Sequence, residues 1–399
     1  MNSLPNPAYL QKAMAPTSMI VIGGGLLGAA IAYGASRAGA SVILLDQGDI
    51  AHRASRGNFG LVWVQAKGDS APHYARWCRD AASRWPAMAQ ELMTLTGIDV
   101  VLRQHGGVHF CFSDAEMEAR QALLKRIDQA AGGIPFSMLD RSDVRARLPG
   151  VGPSVVGASF CPLDGHANPL KLLLALHAGM KARGVCVMSG VDVAEIRHCE
   201  AQGGFEVRST DGRTWQAPRV VVAAGLGTTR LAQQVGLHAP LSPIRGQMLI
   251  TERLQPFLPY PTEGVRQTDE GSVQLGNSFE SVGADAGTTV LEIEAIAKSA
   301  VAAFPRLSSA RLIRAWACLR VLTPDSLPVY EESSSCPGAF VATSHSGVSL
   351  AALHAAVIGP WMAGLRDEPV EISAFAGSRF LDPARSYSNA FLDAFANAH

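Results

Sequence analysis

The spacing Gly23-x-Gly25-x-x-Gly28, with Asp46 about 20 residues on, is suited to holding an adenosine diphosphate. Gly23 permits a tight turn, Gly25 lacks the Cβ that would keep a pyrophosphate off the backbone, and Gly28 lets helix and strand pack closely. The helix that follows presents unpaired N–H groups and a partial positive charge to phosphate oxygens. Asp46 can accept hydrogen bonds from ribose hydroxyls and would repel a 2′-phosphate. This unit alone does not separate NAD from FAD. A second strand–glycine–helix junction, Thr343-Ser-His-Ser-Gly347-Val-Ser-Leu350, lies far downstream, and residues 220–227 are also punctuated by glycine. A helix N-terminus at the later junction can face the electron-rich edge of a reduced flavin, so a cofactor gripped by both ends of the chain points to FAD. The seven cysteines are odd in number and include no C-x-x-C pair. That argues against a disulfide framework and against a metal, zinc or iron–sulfur, held by this chain alone.

The elements that must position these groups are legible in outline. Residues 19–23 are an apolar strand, 29–38 an Ala-rich helix and 41–46 a second strand, which together make a β-α-β unit. Residues 71–95 carry apolar side chains at three- and four-residue steps, predicting a long helix kinked at Pro86. Strand-like stretches follow at 100–112 and 155–161, with a charged helix between them at 114–131. Asn168-Pro169 reads as a helix start, with Asn as cap and Pro in the first turn. Further strands are expected at 185–188, 191–193, 205–208, 214–216, 220–225, 240–251, 271–275 and 340–343, and helices at 291–304 and 349–365. The predicted fold class is α/β with a Rossmann-like cofactor domain.

Composition narrows the function classes. Hydrophobic residues are 48% and charged residues 17%, which allows a large core. Lys plus Arg and Asp plus Glu are 34 each, so the net charge is zero, and the chain lacks the field that would favour nucleic acid as its main partner. Residues 1–18 contain no apolar core of a secretory signal. The longest uncharged stretch, 337–365, holds serines, histidines and glycines and reads as strand–turn–helix rather than as a membrane span. A cytoplasmic location is expected, with any membrane association made through a partner or a respiratory acceptor.

The chain resembles the glycine oxidase / D-amino acid oxidase family of FAD flavoproteins. The matching blocks are Gly23–Gly28 with Asp46, Ala54-Ser55-Arg-Gly-Asn58-Phe-Gly60, Asp164-Gly-His-Ala-Asn168-Pro169, residues 220–225, Ile244-Arg245-Gly246-Gln247, and the run from Ala317 through Arg320, Thr323-Pro-Asp325 and on to Gly347. Residues 319–330 and 336–351 are similar to the β subunits of opine (octopine or nopaline) oxidases and dehydrogenases, and the related hydrogen cyanide synthase subunit shares this pattern. The resemblance implies an α/β fold of interleaved segments: a Rossmann-like FAD-binding domain near 17–96, 166–235 and 313–366, an interleaved substrate domain of mixed β-sheet and helices near 97–165 and 236–312, and a C-terminal extension at 367–399. It implies cofactor contacts at Gly23, Gly25, Leu27, Gly28, Asp46, Gln47, Ser55, Asn58, Gly60, Leu61, Val193, Ala224, Gly225, Gly347, Val348 and Ser349.

The implied reaction is oxidation of a secondary amine α to a carboxylate, such as an opine, in the catalytic β subunit of a hetero-oligomer. Hydride passes to flavin N5 and water hydrolyses the imine to an amino acid and a 2-oxo acid. The resemblance makes Arg320 the carboxylate-binding cation, since a guanidinium grips a carboxylate through two parallel hydrogen bonds. It places His345 and Ser346 at the flavin and puts Tyr260, Glu263 and Arg266 in a Pro-rich loop over the site. Tyr260 is the third catalytic candidate. In sarcosine oxidases a cysteine near the position of Cys318 carries the flavin covalently; noncovalent FAD is the expectation here. The lysine those enzymes hold over the flavin corresponds to Gln274; without that cation superoxide-like charge is less stabilised, which predicts a dehydrogenase that reacts slowly with oxygen rather than an oxidase. An α subunit with further redox or nucleotide sites is implied as partner, with FMN at a subunit boundary in some relatives. Competing readings are a glycine, D-amino acid, sarcosine or hydroxyproline dehydrogenase, a cyanide-forming glycine dehydrogenase subunit, and a noncatalytic FAD-bearing scaffold.

Overall fold

Four consecutive apolar residues, Met19–Ile22, form a strand that can be buried on both faces of a parallel sheet. The chain turns at Gly23 into the helix Leu26–Arg37 and returns in the strand Val42–Asp46. The computed structural model describes residues 18–48, 54–200, 203–276, 278–382 and 387. Its largest sheet has six strands, in the order 329–332, 339–343, 220–222, 19–22, 42–46, 186–189. Neighbours are parallel except for the antiparallel edge pair 329–332 and 339–343. Strand order reverses at Met19–Ile22, whose neighbours 42–46 and 220–222 lie on opposite sides. A ligand crevice opens beyond the carboxyl ends of the strands at such a point.

One face of this sheet is covered by the helices Leu26–Arg37, Pro72–Thr96 and Pro169–Ala182 and the helical segments of 351–362. Small residues let them approach closely: a Cβ on Gly34 would lie 2.1 Å from the Ala355 carbonyl oxygen. The other face packs against a three-stranded sheet of 193–198, 205–209 and 214–217 and the short helix Thr228–Gln233. A four-stranded antiparallel sheet, ordered 265–267, 272–276, 242–253, 312–322, forms a further core with the helix Val290–Ala303 and the sheet of 107–111, 157–161 and 137–140.

Several elements differ from expectation. Pro86 sits inside the helix Pro72–Thr96, which continues past it. The carbonyl orphaned by its missing N–H is that of Ala82, and Gln104 Nε2 donates to it at 2.9 Å. The expected helix at 349–365 instead passes through a π-turn at His354–Ile358 before Pro360. Pro360 cannot donate to Ala356, whose carbonyl accepts from Arg366 Nη1 at 3.2 Å. The strand expected at 191–193 runs Val193–His198, and 100–112 forms a strand only at Gly107–Cys111. Arg266 stands on the strand Val265–Gln267 rather than in a loop. Phe375, in the C-terminal extension, is fully buried against Trp77 and Tyr330. No described helix is long and apolar enough to cross a membrane.

Candidate active site

At the reversal point lies a cavity of about 420 Å³, within the usual range for small-molecule sites. Its wall starts with the glycine turn. Gly23 adopts φ +110°, and a Cβ there would lie 2.2 Å from the Ala223 carbonyl oxygen; a Cβ on Gly28 would lie 2.0 Å from the Gly23 carbonyl oxygen. These two glycines are therefore needed for packing. Gly25 differs, because its Cβ would meet only Ser55 Oγ, at 2.8 Å. Ser55 Oγ accepts from Leu26 N at 2.9 Å at the start of the helix, which has no acidic residue in its first turn. Asp46 ends its strand with Oδ2 accepting from Gly24 N at 2.7 Å and Oδ1 from Gly48 N at 2.9 Å, so the turn itself orients the carboxylate.

Of the expected cofactor residues, Gly23, Gly25, Leu27, Gly28, Asp46, Gln47, Ser55, Asn58, Val193, Ala224, Gly225 and Gly347 line this cavity, and His345 joins them. Gly60, Leu61, Val348 and Ser349 are not on its wall. They stand behind it: Gly60 N donates to Asn58 Oδ1 at 2.7 Å, Val348 is in the core, and Ser349 Oγ donates to the Leu61 carbonyl at 3.0 Å. Trp63 N donates back to Ser349 Oγ at 3.2 Å. Ser349 thus ties the segment after Gly60 to the C-terminal junction.

The sequence reading missed Asp192, Arg230, Leu319, Val321, Thr343 and Ser344, which also line the cavity. Arg230 donates to the Val193 and Ala194 carbonyls, both at 2.8 Å, and so fixes one wall. Leu319 and Val321 could have been found by strand alternation around Arg320; Arg230 carries no local signal.

Arg320 is not on this wall. Alternation turns it to the other face of the strand Leu312–Leu322, where Nη1 donates to the Ser278 carbonyl at 2.7 Å and the Arg245 carbonyl at 3.1 Å. Its guanidinium lies 4.0 Å from the centre of the Phe279 ring. Burial lowers it to about 10, so it remains a cation at neutral pH. His345 is held well below its usual value by burial, then by the charges of Lys67 and Arg320, and its imidazole is neutral. Tyr260 sits apart, half-buried, with its ring edge-on to Phe160 at 5.5 Å. Glu263 pairs with His109 Nδ1 at 2.6 Å. Burial would raise Glu263, but His109, Arg120 and Lys67 outweigh it and hold the carboxyl down to about 2.

Cys318 Sγ is buried and lies 3.5 Å from the Gly57 carbonyl, beside Phe59 and Met248 and off the cavity wall. Burial raises the thiol, which disfavours the thiolate. Gln274 brings no charge of its own. Arg266, across the strand pair, donates from Nη2 to Gln274 Oε1 at 2.6 Å.

A search of solved structures places the same fold in glycine oxidase from Geobacillus kaustophilus, with a TM-score of 0.84 at 23% identity over 92% of this chain and 99% of that one. Among curated proteins the chain is 42% identical to an opine oxidase subunit from Agrobacterium tumefaciens (strain Ach5) over 369 residues, covering 92% of this chain and 98% of the relative. It is 25% identical to hydrogen cyanide synthase subunit HcnC of Pseudomonas protegens, over 91% of this chain and 96% of the relative. The family model described as FAD dependent oxidoreductase matches residues 18–361, so with the glycine turn, Asp46 and the C-terminal junction enclosing one cavity, the chain belongs to the FAD-dependent oxidoreductase family.

Proposed function

We propose that this chain is the catalytic subunit of an opine-oxidising flavoenzyme, acting on a secondary amine α to a carboxylate and working with a second subunit. The observation that carries this reading is a cation on the strand whose Leu319 and Val321 line the cavity. Among the described residues Arg320 forms no ion pair and bonds only to two backbone carbonyls, yet its charge reaches His345 on the cavity wall. A guanidinium stacked on Phe279, with Glu280 acting on it only through space, suits a substrate carboxylate.

The residues present fit FAD. The Gly25 position would be filled by a Cβ, the helix Leu26–Arg37 starts without a side-chain cap of its own, and Asp46 faces the same space. Gly23, Gly25, Leu27, Gly28, Asp46 and Ser55 would hold the adenosine and pyrophosphate, and Ala224, Gly225, His345 and Gly347 the opposite half. When bound, FAD supplies a two-electron acceptor for the amine. Binding is noncovalent in this reading, since the Cys318 thiol is kept protonated and occupied against Gly57.

The protein's own part is to bind, orient and desolvate. Arg320 fixes the substrate carboxylate and so the position of the α-carbon. His345, neutral, can share a hydrogen bond with the substrate amine without adding positive charge, and the amine can enter already deprotonated. The amine loses a hydride and a proton to become an imine, and water cleaves that imine to an amino acid and a 2-oxo acid. The six-stranded sheet carries the cofactor and the four-stranded sheet roofs the substrate. The test is Arg320→Ala: flavin content should match wild type, while kcat/KM for flavin reduction by octopine falls by about two to four orders of magnitude, the loss of two charge-assisted hydrogen bonds. Unchanged reduction would remove Arg320 from the site.

A further inference from the structure

A second cation stands on the sheet face that Arg320 shares. Arg266 lies opposite Gln274, and Gln274 opposite Ile250. Two residues at a time along the same strand, Met248, Gly246 and Ile244 lie opposite Trp316, Cys318 and Arg320. Directly opposed residues of an antiparallel pair project to one face, so both arginines do. Segment 57–60 crosses that face between them. A Cβ on Gly57 would sit 2.6 Å from Cys318 Sγ, Phe59 packs against Met248, and a Cβ on Gly60 would sit 3.3 Å from Arg266 Nη2. Chain reach keeps Gly57 and Gly60 within about 11 Å of each other.

Arg266 is 4% exposed and its Nε has no hydrogen-bond partner. Its polar contacts are Gln274 Oε1 at 2.6 Å and His166 Nδ1 at 3.4 Å. Both partners are neutral, because burial, with Arg266 and Arg103 beside it, holds the His166 imidazole down to about 3. Burial lowers Arg266 only to about 10, so the guanidinium keeps its charge at neutral pH. Among the described residues no carboxylate forms an ion pair with it. A buried charge of this kind calls for an anion, and a ligand can bring one.

We propose that Arg266 binds a second carboxylate of the substrate, so that the site takes secondary amines bearing a carboxylate on each side of the nitrogen. This deepens the amine-oxidation reading above and rests on it. An opine is such a molecule, being built from an amino acid and a 2-oxo acid, each of which contributes one carboxylate. Two arginines projecting to one face give each carboxylate a cation of its own. A substrate with one carboxylate would leave Arg266 buried and unmatched, which selects against it.

Binding of two redox-inert ethers to the purified flavin-bound chain, measured by titration calorimetry, tests this without turnover. Oxydiacetate carries two carboxylates about an ether oxygen, and methoxyacetate carries one. Wild type should bind oxydiacetate roughly ten- to a hundredfold more tightly, and Arg266→Gln should bring that ratio close to one. Gln274→Glu is a second variant that keeps the guanidinium in place. It supplies Arg266 with its own carboxylate, and should likewise collapse the ratio. A wild type that binds both ethers alike or binds neither, or variants that keep the wild-type ratio, would overturn the assignment. An amine panel that leaves the flavin oxidised while the ratio behaves as stated would instead count against the reaction and not against Arg266.

Discussion

Gly25→Ala separates a turn-forming glycine from a cofactor-approach glycine. The residue has φ −68° and ψ −179°, an extended conformation open to alanine. The added Cβ would meet Ser55 Oγ at 2.8 Å and no other atom closer than Ser55 Cβ at 3.9 Å. Moving the hydroxyl aside loses its bond from Leu26 N, about 1 kcal/mol, while replacing glycine regains about 0.4–1 kcal/mol by restricting the unfolded chain. Stability of the apoprotein should therefore change by less than about 1 kcal/mol. The same methyl group would stand between the backbone and a pyrophosphate. Losing one or two hydrogen bonds to a charged phosphate weakens binding by about 1.5–3 kcal/mol each, or one to four orders of magnitude in Kd. The assay is FAD titration of deflavinated protein by fluorescence, beside urea unfolding of the same samples. FAD affinity within threefold of wild type would refute the placement of the pyrophosphate at Gly25. Gly28→Ala is the contrast, because its Cβ would lie 2.0 Å from a backbone oxygen and the fold itself should weaken.

Asp164 offers a pH test of the fold. Its Oδ1 accepts from Val64 N at 2.5 Å, while Oδ2 is buried without a partner, and burial raises the carboxyl to about 7. With the folded value raised above the unfolded one, its stabilising contribution is complete below about pH 4 and is lost as pH rises through about 7. Asp164→Asn should therefore gain on wild type across that window by up to roughly 4 kcal/mol; thermal melts at pH 5 and pH 8 giving a constant difference would contradict this. The neutral buried His166 and His354 act in the opposite sense but are common to both proteins, so they cancel in the comparison. Precipitating the protein with acid should release all its flavin to the supernatant, and Cys318→Ala should leave that unchanged; a pellet that stays yellow in wild type and not in the variant would establish a covalent link.

The glycine turn was legible because its constraints are local. Gly23 and Gly28 are dictated by backbone contacts under 2.5 Å, and Asp46 by the turn it caps. The C-terminal junction was legible for the same reason, since a strand, a glycine and a helix follow in order. Positions that depend on pairing across the sheet were not. Arg266 looked like a loop charge because its setting comes from Gln274 across a hairpin and from His166, a hundred residues away in the chain. That Gln104 takes the carbonyl freed by Pro86 was not legible either, because Gln104 stands 22 residues from Ala82 in the chain. Arg320 was identified through its sequence block, but whether it or its neighbours face the cavity depends on the pleat, and Leu319 and Val321 do.

The most direct test of the account is anaerobic titration of the purified chain with octopine, following the visible flavin band. A yellow protein whose band bleaches while a 2-oxo acid accumulates is the predicted result. A colourless protein, or a yellow one whose band is untouched by saturating amine, would contradict the claim that the chain holds a flavin in this cavity and oxidises an amino acid derivative with it.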